Sequence, residues 1–253
     1  MINNGFNRFP NYISEIPESL YKQIDSFVSM LDGVARLTNQ CFYLVDFYKG
    51  EVLYASNNPM LSNNLSAEEI LKKGRNFNKH NTSAHEYEQI YEIIRSWLHF
   101  IENVPVEERK SYMLQFDYWL VESLICILLT PIFLCNEGKP WLVLCNAKLS
   151  INKESGNAII LKENHQNLWS YSFKSKKWHE KPQVILTDIE KQVLCLSLQG
   201  KKENEICEQI FRSKDGLKSI KRKLFKKMDV TNITEAVSFA ILYGLLQKDF
   251  SKF

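Results

Sequence analysis

The sequence has little glycine or proline. With 9 glycines and 7 prolines in 253 residues, collagen-like and low-complexity chains are excluded. Apolar residues make up 45% of the chain and charged residues 24%, which excludes an extended disordered chain. The longest apolar stretch, Leu124 to Cys135, is interrupted by Thr130 and Pro131 and is shorter than the about 20 residues that a membrane span needs. We therefore expect a globular protein of one or two domains with no membrane partner.

Signals for export and for disulfide bonding are also missing. The first residues lack the basic start and the apolar run of a signal peptide. The 6 cysteines form no Cys-x-x-Cys pair and most lie among apolar residues, which favours free thiols over disulfides or a zinc site. These features predict a cytoplasmic protein without a bound metal.

Catalytic motifs are absent too. The sequence contains no Gly-x-Ser-x-Gly, no glycine-rich phosphate loop and no His-Glu-x-x-His. The paired acids Glu68–Glu69 and Glu107–Glu108 are adjacent, so on a helix their side chains diverge, and we interpret them as caps and solvated charge. No catalytic residue and no cofactor is expected. An enzyme or small-molecule-binding protein with an incidental basic helix remains the alternative from another class.

What the sequence does have is one concentrated basic segment. Eight basic residues lie between Arg212 and Lys227 with Asp215 as the single acid, a charge of +7 in a chain whose net charge is +3, so the rest of the chain carries −4. Such an asymmetry favours a polyanion as partner. The alternative is a solvated lysine-rich helix face, and charge alone does not decide between the two.

The first 175 residues alternate between helical and extended patterns. An amphipathic helix is predicted over Pro17–Leu37, whose apolar face either pairs with a partner chain or covers its own domain. A hairpin, a polar loop over Asn57–Asn64, a capping box at Ser66–Glu69 and a helix over His85–Ile101 follow. Further strands are predicted over 111–120, 124–135, 141–149, 158–161 and 168–173. This order indicates an α+β domain with one antiparallel sheet and its helices packed to one side.

The order of these elements, together with the strand pair from Phe42 to Ser56, resembles a PAS-type sensor domain over roughly residues 15–175. The resemblance implies a chamber between sheet and helices, which could hold an unidentified small-molecule effector. The sequence equally allows a domain that only dimerises. Six aromatic residues are candidates for lining such a chamber: Tyr43, Phe47, Trp97, Phe116, Trp119 and Trp141. The alternative is that these side chains simply fill the core. We expect a sensor or dimerisation domain over 1–176, a boundary in the polar segment Lys174–Pro182, and a second domain over 183–253.

The second domain has the pattern of a helix-turn-helix. Thr187 and Glu190 form a capping box that opens a helix ending near Gly200. A short helix over Glu203–Ile210 follows, and after a three-residue break Ser213 caps a third helix that runs to Met228. Two short helices joined by a tight turn, the second strongly basic, are typical of a DNA-binding unit.

The third helix divides into two faces at 100° per residue. An apolar stripe runs through Leu217, Ile220, Leu224 and Met228, and a basic row of Lys218, Arg222 and Lys226 lies roughly opposite it. Lys218 and Arg222, with Ser219, are predicted to contact bases in the major groove of double-stranded DNA. Contacts to the DNA backbone are predicted for Lys202, Ser213, Lys214, Lys221 and Lys226.

From Leu186 to Leu246 the sequence resembles the LuxR/GerE-type DNA-binding domain. The residues that carry the resemblance are Leu186, Thr187, Glu190, Val193, Leu194, Gly200, Glu205, Ile206, Ser213, Leu217, Lys218, Leu224, Lys227, Met228, Val230, Glu235, Ala236, Val237, Gly244, Leu245 and Leu246. The resemblance implies an all-α domain of four helices and a sequence-specific transcription regulator that binds DNA as a homodimer. Three positions depart from the family pattern: Lys202 stands in place of a capping Ser or Thr, Gly216 in place of Thr and Ile220 in place of His.

The sequence also bears on two other classes of regulator and on two candidate surfaces for dimerisation. A sigma-factor-like DNA-binding protein is disfavoured by the fourth helix, which ends Gly244-Leu245-Leu246. A receiver-type regulator is disfavoured because the first half of the chain lacks the strand-end aspartates and the late lysine that phosphoryl acceptance needs. For dimerisation, one candidate is the fourth helix around Ala236, Val237 and Ala240, where small residues allow close approach. The other is the apolar face of the Pro17–Leu37 helix together with the sheet of the first domain. We expect the first domain to give the larger contact, because about 70 C-terminal residues need their apolar surface for their own core.

Overall fold

The structure is a computed structural model that describes residues 13–58, 66–74, 81–163, 168–182 and 184–246. The chain divides into two compact units, Met1–Lys181 and Pro182–Phe253, called here the sheet unit and the helical unit. Most of the polar loop predicted over Asn57–Asn64 lies outside the described residues.

The sheet unit follows the predicted order of helices and strands. Its helices are α1 (Glu18–Tyr21), α2 (Ile24–Thr38), α3 (Ala67–Lys73) and α4 (Ala84–Glu102), with a 3-10 helix over Val106–Ser111. Its strands are β1 (Cys41–Asp46), β2 (Glu51–Ala55), β3 (Tyr112–Leu120), β4 (Ser123–Leu134), β5 (Pro140–Leu149), β6 (Ala158–Lys162), β7 (Leu168–Ser172) and β8 (Lys177–Lys181). In the described part of the chain these strands form one antiparallel sheet in the order β2-β1-β5-β4-β3-β6-β7-β8. The predicted α+β fold with one antiparallel sheet is confirmed.

Helices cover both faces of the sheet, so the expectation that they pack to one side was wrong. On β1, Cys41 and Tyr43 belong to the core beneath α4, whereas Phe42 and Leu44 belong to the core beneath α1 and α2. Because alternate side chains of a strand point to opposite faces, the two cores lie on opposite sides of β1. The predicted first helix is broken at Lys22–Gln23 into α1 and α2.

Helix α2 uses only part of its apolar surface within the sheet unit. Its buried residues are Ile24, Leu31 and Ala35, which pack against the sheet. Met30, Val34 and Leu37 remain exposed, at 59%, 40% and 86%. Of the two roles considered for the apolar face, covering its own domain is therefore the one that Ile24, Leu31 and Ala35 fulfil. The neighbouring stripe of Met30, Val34 and Leu37 remains exposed to solvent.

Strand β8 is an element that the sequence analysis missed. Its segment lacks the apolar alternation of a strand and is therefore predicted to be a linker. In the structure, Trp178 is the one partly buried residue of β8. Trp178 packs against Tyr171 and Phe100, with ring centroids 4.9 and 6.3 Å away. Pairing with β7 and the packing of Trp178 together attach the strand that ends the sheet unit.

The helical unit contains the four predicted helices, α5 (Asp188–Leu198), α6 (Glu203–Gln209), α7 (Lys214–Met228) and α8 (Ile233–Leu242). Their core is centred on Val193, Leu194, Leu224, Ala236 and Ala240, each 0% exposed. This corrects the proposed dimer surface on the fourth helix: Ala236 and Ala240 face their own core and Val237 is half-buried.

Candidate nucleic-acid interface

Local capping explains why the helix-turn-helix begins and ends where it does. The Thr187 hydroxyl accepts the backbone N–H of Glu190, and the Glu190 carboxylate accepts the backbone N–H of Thr187 at 2.8 Å. At the start of α6, Lys202 gives no side-chain cap, but Glu205 still accepts the Lys202 backbone N–H at 2.7 Å. Ser213 caps α7 by accepting the N–H of Gly216 at 3.2 Å. These caps fix the ends of three helices without long-range contacts.

The turn between α6 and α7 contains a phenylalanine with a left-handed backbone conformation. Phe211 has a φ of 53°, in the left-handed region, and its side chain is 86% exposed. A bulky residue in that conformation is strained. The conformation lets Arg212 N–H bond the carbonyl of Cys207 at 3.0 Å, which keeps the turn tight.

Helix α7 has the two predicted faces. Leu217, Leu224 and Met228 are buried in the core of the helical unit, and Ile220 is partly buried against it. Lys218, Arg222 and Lys226 are exposed on the opposite side. The helix thus presents a basic surface while its other side is fixed by packing, which is the arrangement that a helix needs to enter a major groove.

The structure places most of the predicted DNA-contacting residues on or beside that surface. Exposed side chains are found at Lys202, Ser213, Lys214, Lys218, Arg222 and Lys226, while Ser219 is half-buried. The Ser213 hydroxyl is engaged as a helix cap.

Lys221 departs from the prediction of a backbone contact to DNA. Its ammonium lies 2.6 Å from the Glu203 carboxylate, and its side chain is only 16% exposed. The Lys221 ammonium lowers the pKa of Glu203 from its ordinary value. Lys221 therefore joins α7 to α6, and any DNA phosphate has to compete with Glu203 for it.

A second ion pair fixes the other end of α7, and the sequence analysis missed it. Lys227 donates to the Glu190 carboxylate at 2.6 Å and to the Ile185 carbonyl at 3.1 Å. The Glu190 side chain is 5% exposed. Burial by itself raises the pKa of Glu190, but the hydrogen bonds from Lys227 and Thr187 outweigh it and leave that pKa below its ordinary value.

The six aromatic residues proposed for a chamber in the sheet unit do not share one. Tyr43, Trp97 and Phe116 are buried together in the core beneath α4, and Phe47 packs at its margin. Trp119 is 39% exposed, because on β3 it lies three residues from Phe116 and so points to the opposite face. Trp141 belongs to the core beneath α1 and α2, next to a register shift between β4 and β5. Trp119 and Trp141 are therefore corrected as chamber residues.

The described ranges contain neither a cluster of metal ligands nor a membrane-spanning helix. No group of three or more His, Cys, Asp or Glu side chains is placed to hold a metal ion. Across the same residues, no helix is long and apolar enough to cross a bilayer.

The comparison with known families agrees with this interface. Residues 184–240 match the family described as bacterial regulatory proteins, luxR family. A comparison with curated proteins gave no significant match. The fold and the basic helix define a helix-turn-helix DNA-binding domain of a transcription regulator. Over residues 184–240 the helical unit is therefore similar to the luxR family of regulatory proteins. The family is described as regulatory proteins, which favours a regulator over the enzyme and sigma-factor-like alternatives.

The solved structures that match this chain cover most of it at low identity. A phage VqmA in complex with DPO is 12% identical, covers 90% of this chain and 92% of its own, and has a TM-score of 0.32. Vibrio cholerae VqmA is 16% identical, with 89% and 88% covered and a TM-score of 0.31. Escherichia coli SdiA is 13% identical, with 94% and 94% covered and a TM-score of 0.28. These TM-scores are below 0.5, so the likenesses support no conclusion about this chain.

Proposed function

We propose that this regulator recognises its DNA sequence through the exposed face of α7 and binds as a homodimer. The observation that carries the proposal is the division of α7 into a packed side at Leu217 and Leu224 and an exposed side at Lys218 and Arg222. A buried side fixes the orientation of the helix, so that the exposed cations are presented in a defined direction.

Base contacts are assigned to Lys218 and Arg222, with Ser219 beside them. Arg and Lys side chains bind the N7 and O6 acceptors of guanine, and they lie here on successive turns of one helix face. Backbone contacts are assigned to Lys202, Ser213, Lys214 and Lys226, which lie around that face and are exposed. Lys221 is left out of this assignment because Glu203 already binds it.

Dimerisation is assigned to the sheet unit, through the exposed stripe of α2. Met30, Val34 and Leu37 are spaced four and three residues apart, so they lie on one side of the helix. A contiguous exposed apolar stripe of this kind is typical of a surface that pairs with another chain. A second copy of α2 offers the same stripe, as a twofold contact requires.

A small-molecule effector is assigned to the core beneath α4. The Trp97 indole N–H is buried there without a hydrogen-bond acceptor in the described structure. Leaving such a donor unpaired costs roughly 1–3 kcal/mol. A ligand with a hydrogen-bond acceptor, admitted next to Trp97, recovers that energy.

The experiment for DNA recognition is a salt titration with the full chain. The dissociation constant for a 40-base-pair duplex is measured by fluorescence anisotropy between 50 and 300 mM NaCl. We expect log K to fall linearly with log salt, with a slope of about −0.9 for each phosphate contacted. Binding that does not depend on salt, or no binding to duplexes selected from a random pool, contradicts the proposal.

A further inference from the structure

A second basic surface lies at the far edge of the sheet, and we propose that it binds the phosphate backbone of DNA flanking the site that α7 contacts. This β8 surface consists of Lys174, Lys176, Lys177 and Lys181, all exposed. Between residues 174 and 181 these four lysines are opposed by one acid, Glu180. The inference rests on the proposed function, since it extends the contact with DNA beyond the helical unit.

The geometry of β8 turns its cations to one side. Trp178 is held in the aromatic cluster with Tyr171. Because side chains alternate along a strand, Lys177, His179 and Lys181 point to the opposite face. The cross-strand neighbours of Lys177 and His179 are Ser172 and Ser170, and that of Lys181 is Leu168. Lys177 and Lys181 thus present positive charge on one face of β8, and both side chains are exposed.

The charges of this surface are little used within the protein. Lys176 lies 3.7 Å from Glu92, but its side chain is 72% exposed, and ion pairs that open to solvent are weak. For Lys174, Lys177 and Lys181 no ion pair is found among the residues that the structure describes. Three to four positive charges therefore remain for an outside partner.

Protection of the sheet edge does not account for this concentration of lysine. Lysines on an edge strand discourage pairing with another sheet, and β8 is such an edge. The opposite edge, β2, needs the same protection, yet over Glu51–Ala55 it carries one glutamate and no lysine. The two edges of one sheet differ in charge, so a cause specific to β8 is required.

The position of β8 along the chain identifies the partner as DNA. The strand ends at Lys181, and the helical unit begins at the next residue, Pro182. Six residues, 182–187, lie between Lys181 and the start of α5 at Asp188, so the length of the chain limits the distance between these two residues to about 25 Å. Duplex DNA bound by the helical unit is thus a concentrated polyanion near the β8 surface, and lysines near phosphates release bound counterions.

The test compares two triple variants of the full chain that lose the same charge. K174Q/K177Q/K181Q removes the β8 surface, and K22Q/K72Q/K148Q removes three exposed lysines elsewhere in the sheet unit. Binding to a 40-base-pair duplex of mixed sequence is measured from 50 to 300 mM NaCl. Tryptophan fluorescence, to which all 5 tryptophans including Trp178 contribute, checks that the sheet unit remains folded.

We expect the β8 variant to lower the magnitude of the salt slope by about two to three, and the control variant to leave it within about half a unit of wild type. Equal slopes for the two variants overturn the inference and point to another partner, such as an acidic protein, for these lysines. If wild type binds with a steep slope while the two variants agree, only the β8 surface fails. If wild type binds no duplex, the proposed function fails with it.

Discussion

The ammonium of Lys227, on the last turn of α7, lies 2.6 Å from the carboxylate of Glu190 on the first turn of α5. The same carboxylate accepts the N–H of Thr187. One buried acid therefore completes a helix cap and also fixes the C-terminal end of the helix proposed to contact DNA.

Replacing Glu190 by Gln tests this link. We expect Glu190→Gln to destabilise the helical unit by about 1–3 kcal/mol at pH 7, because the buried hydrogen bonds lose their charged acceptor. The 5 tryptophans of the chain all precede residue 182, so fluorescence follows the sheet unit alone, while circular dichroism at 222 nm follows both. Urea unfolding should change the second signal and not the first. Asp188→Asn, an exposed acid on the same helix, is the control.

The pH dependence of the same pair has a definite sign. The folded-state pKa of Glu190 is lowered, so its contribution to stability is present above the unfolded pKa of about 4.3 and is lost as pH falls through the folded value. The difference in unfolding free energy between wild type and Glu190→Gln should shrink below about pH 4. A difference that stays constant from pH 7 to pH 3 contradicts the assignment.

The ion pair between Lys221 and Glu203 predicts a gain of binding. Glu203→Gln releases Lys221 and removes a negative charge beside α7, so affinity for duplex DNA should rise by about threefold to tenfold and the salt slope should steepen by about one. Glu208→Gln removes an exposed acid from the same segment of chain without touching Lys221. Equal effects of the two changes would mean that net charge alone, and not the release of Lys221, is responsible.

Dimerisation through α2 is tested by placing charge on its exposed stripe. Met30→Glu together with Leu37→Glu should convert the full chain from dimer to monomer in sedimentation velocity, because two facing carboxylates would be buried in a symmetric contact. Leu71→Glu, at an exposed leucine on α3, should leave the dimer unchanged. A monomeric wild type, free and on DNA, refutes the scheme, and a dimer that survives both α2 changes moves the interface elsewhere.

What could be predicted from the sequence depended on how local the signal was. The cap of α5 at Thr187 and Glu190 and the two faces of α7 are set by residues three and four positions apart, and both were predicted. The pairing of Lys221 with Glu203 joins two helices and could not be inferred from spacing along either one. Strand β8 pairs with β7 along its whole length, but Trp178 is its one partly buried residue, so no alternating apolar pattern marked it.

Of the residues proposed to line a chamber, Trp119 and Trp141 point elsewhere for two different reasons. Phe116 and Trp119 are three residues apart on one strand, so their opposite orientation followed from the sequence. Trp141 lies near the register shift between Pro131 and Leu134, which changes the face that the start of β5 presents. Pro131 is a local sign of that irregularity, because proline within a central strand is typical of a bulge. The face that Trp141 takes depends on how the two strands pair, which no local pattern gives.

The central claim is that α7 recognises DNA sequence, and Arg222 tests it most directly. A preferred site is first selected from a random duplex pool with the wild-type chain. The dissociation constants of wild type and Arg222→Ala are then measured for that site and for each of its single-base-pair variants. We expect Arg222→Ala to lose about 1–3 kcal/mol on the selected site and to become indifferent to the base at one position. A loss of the same size on every duplex, with all base preferences kept, would contradict the account and assign Arg222 to the phosphate backbone.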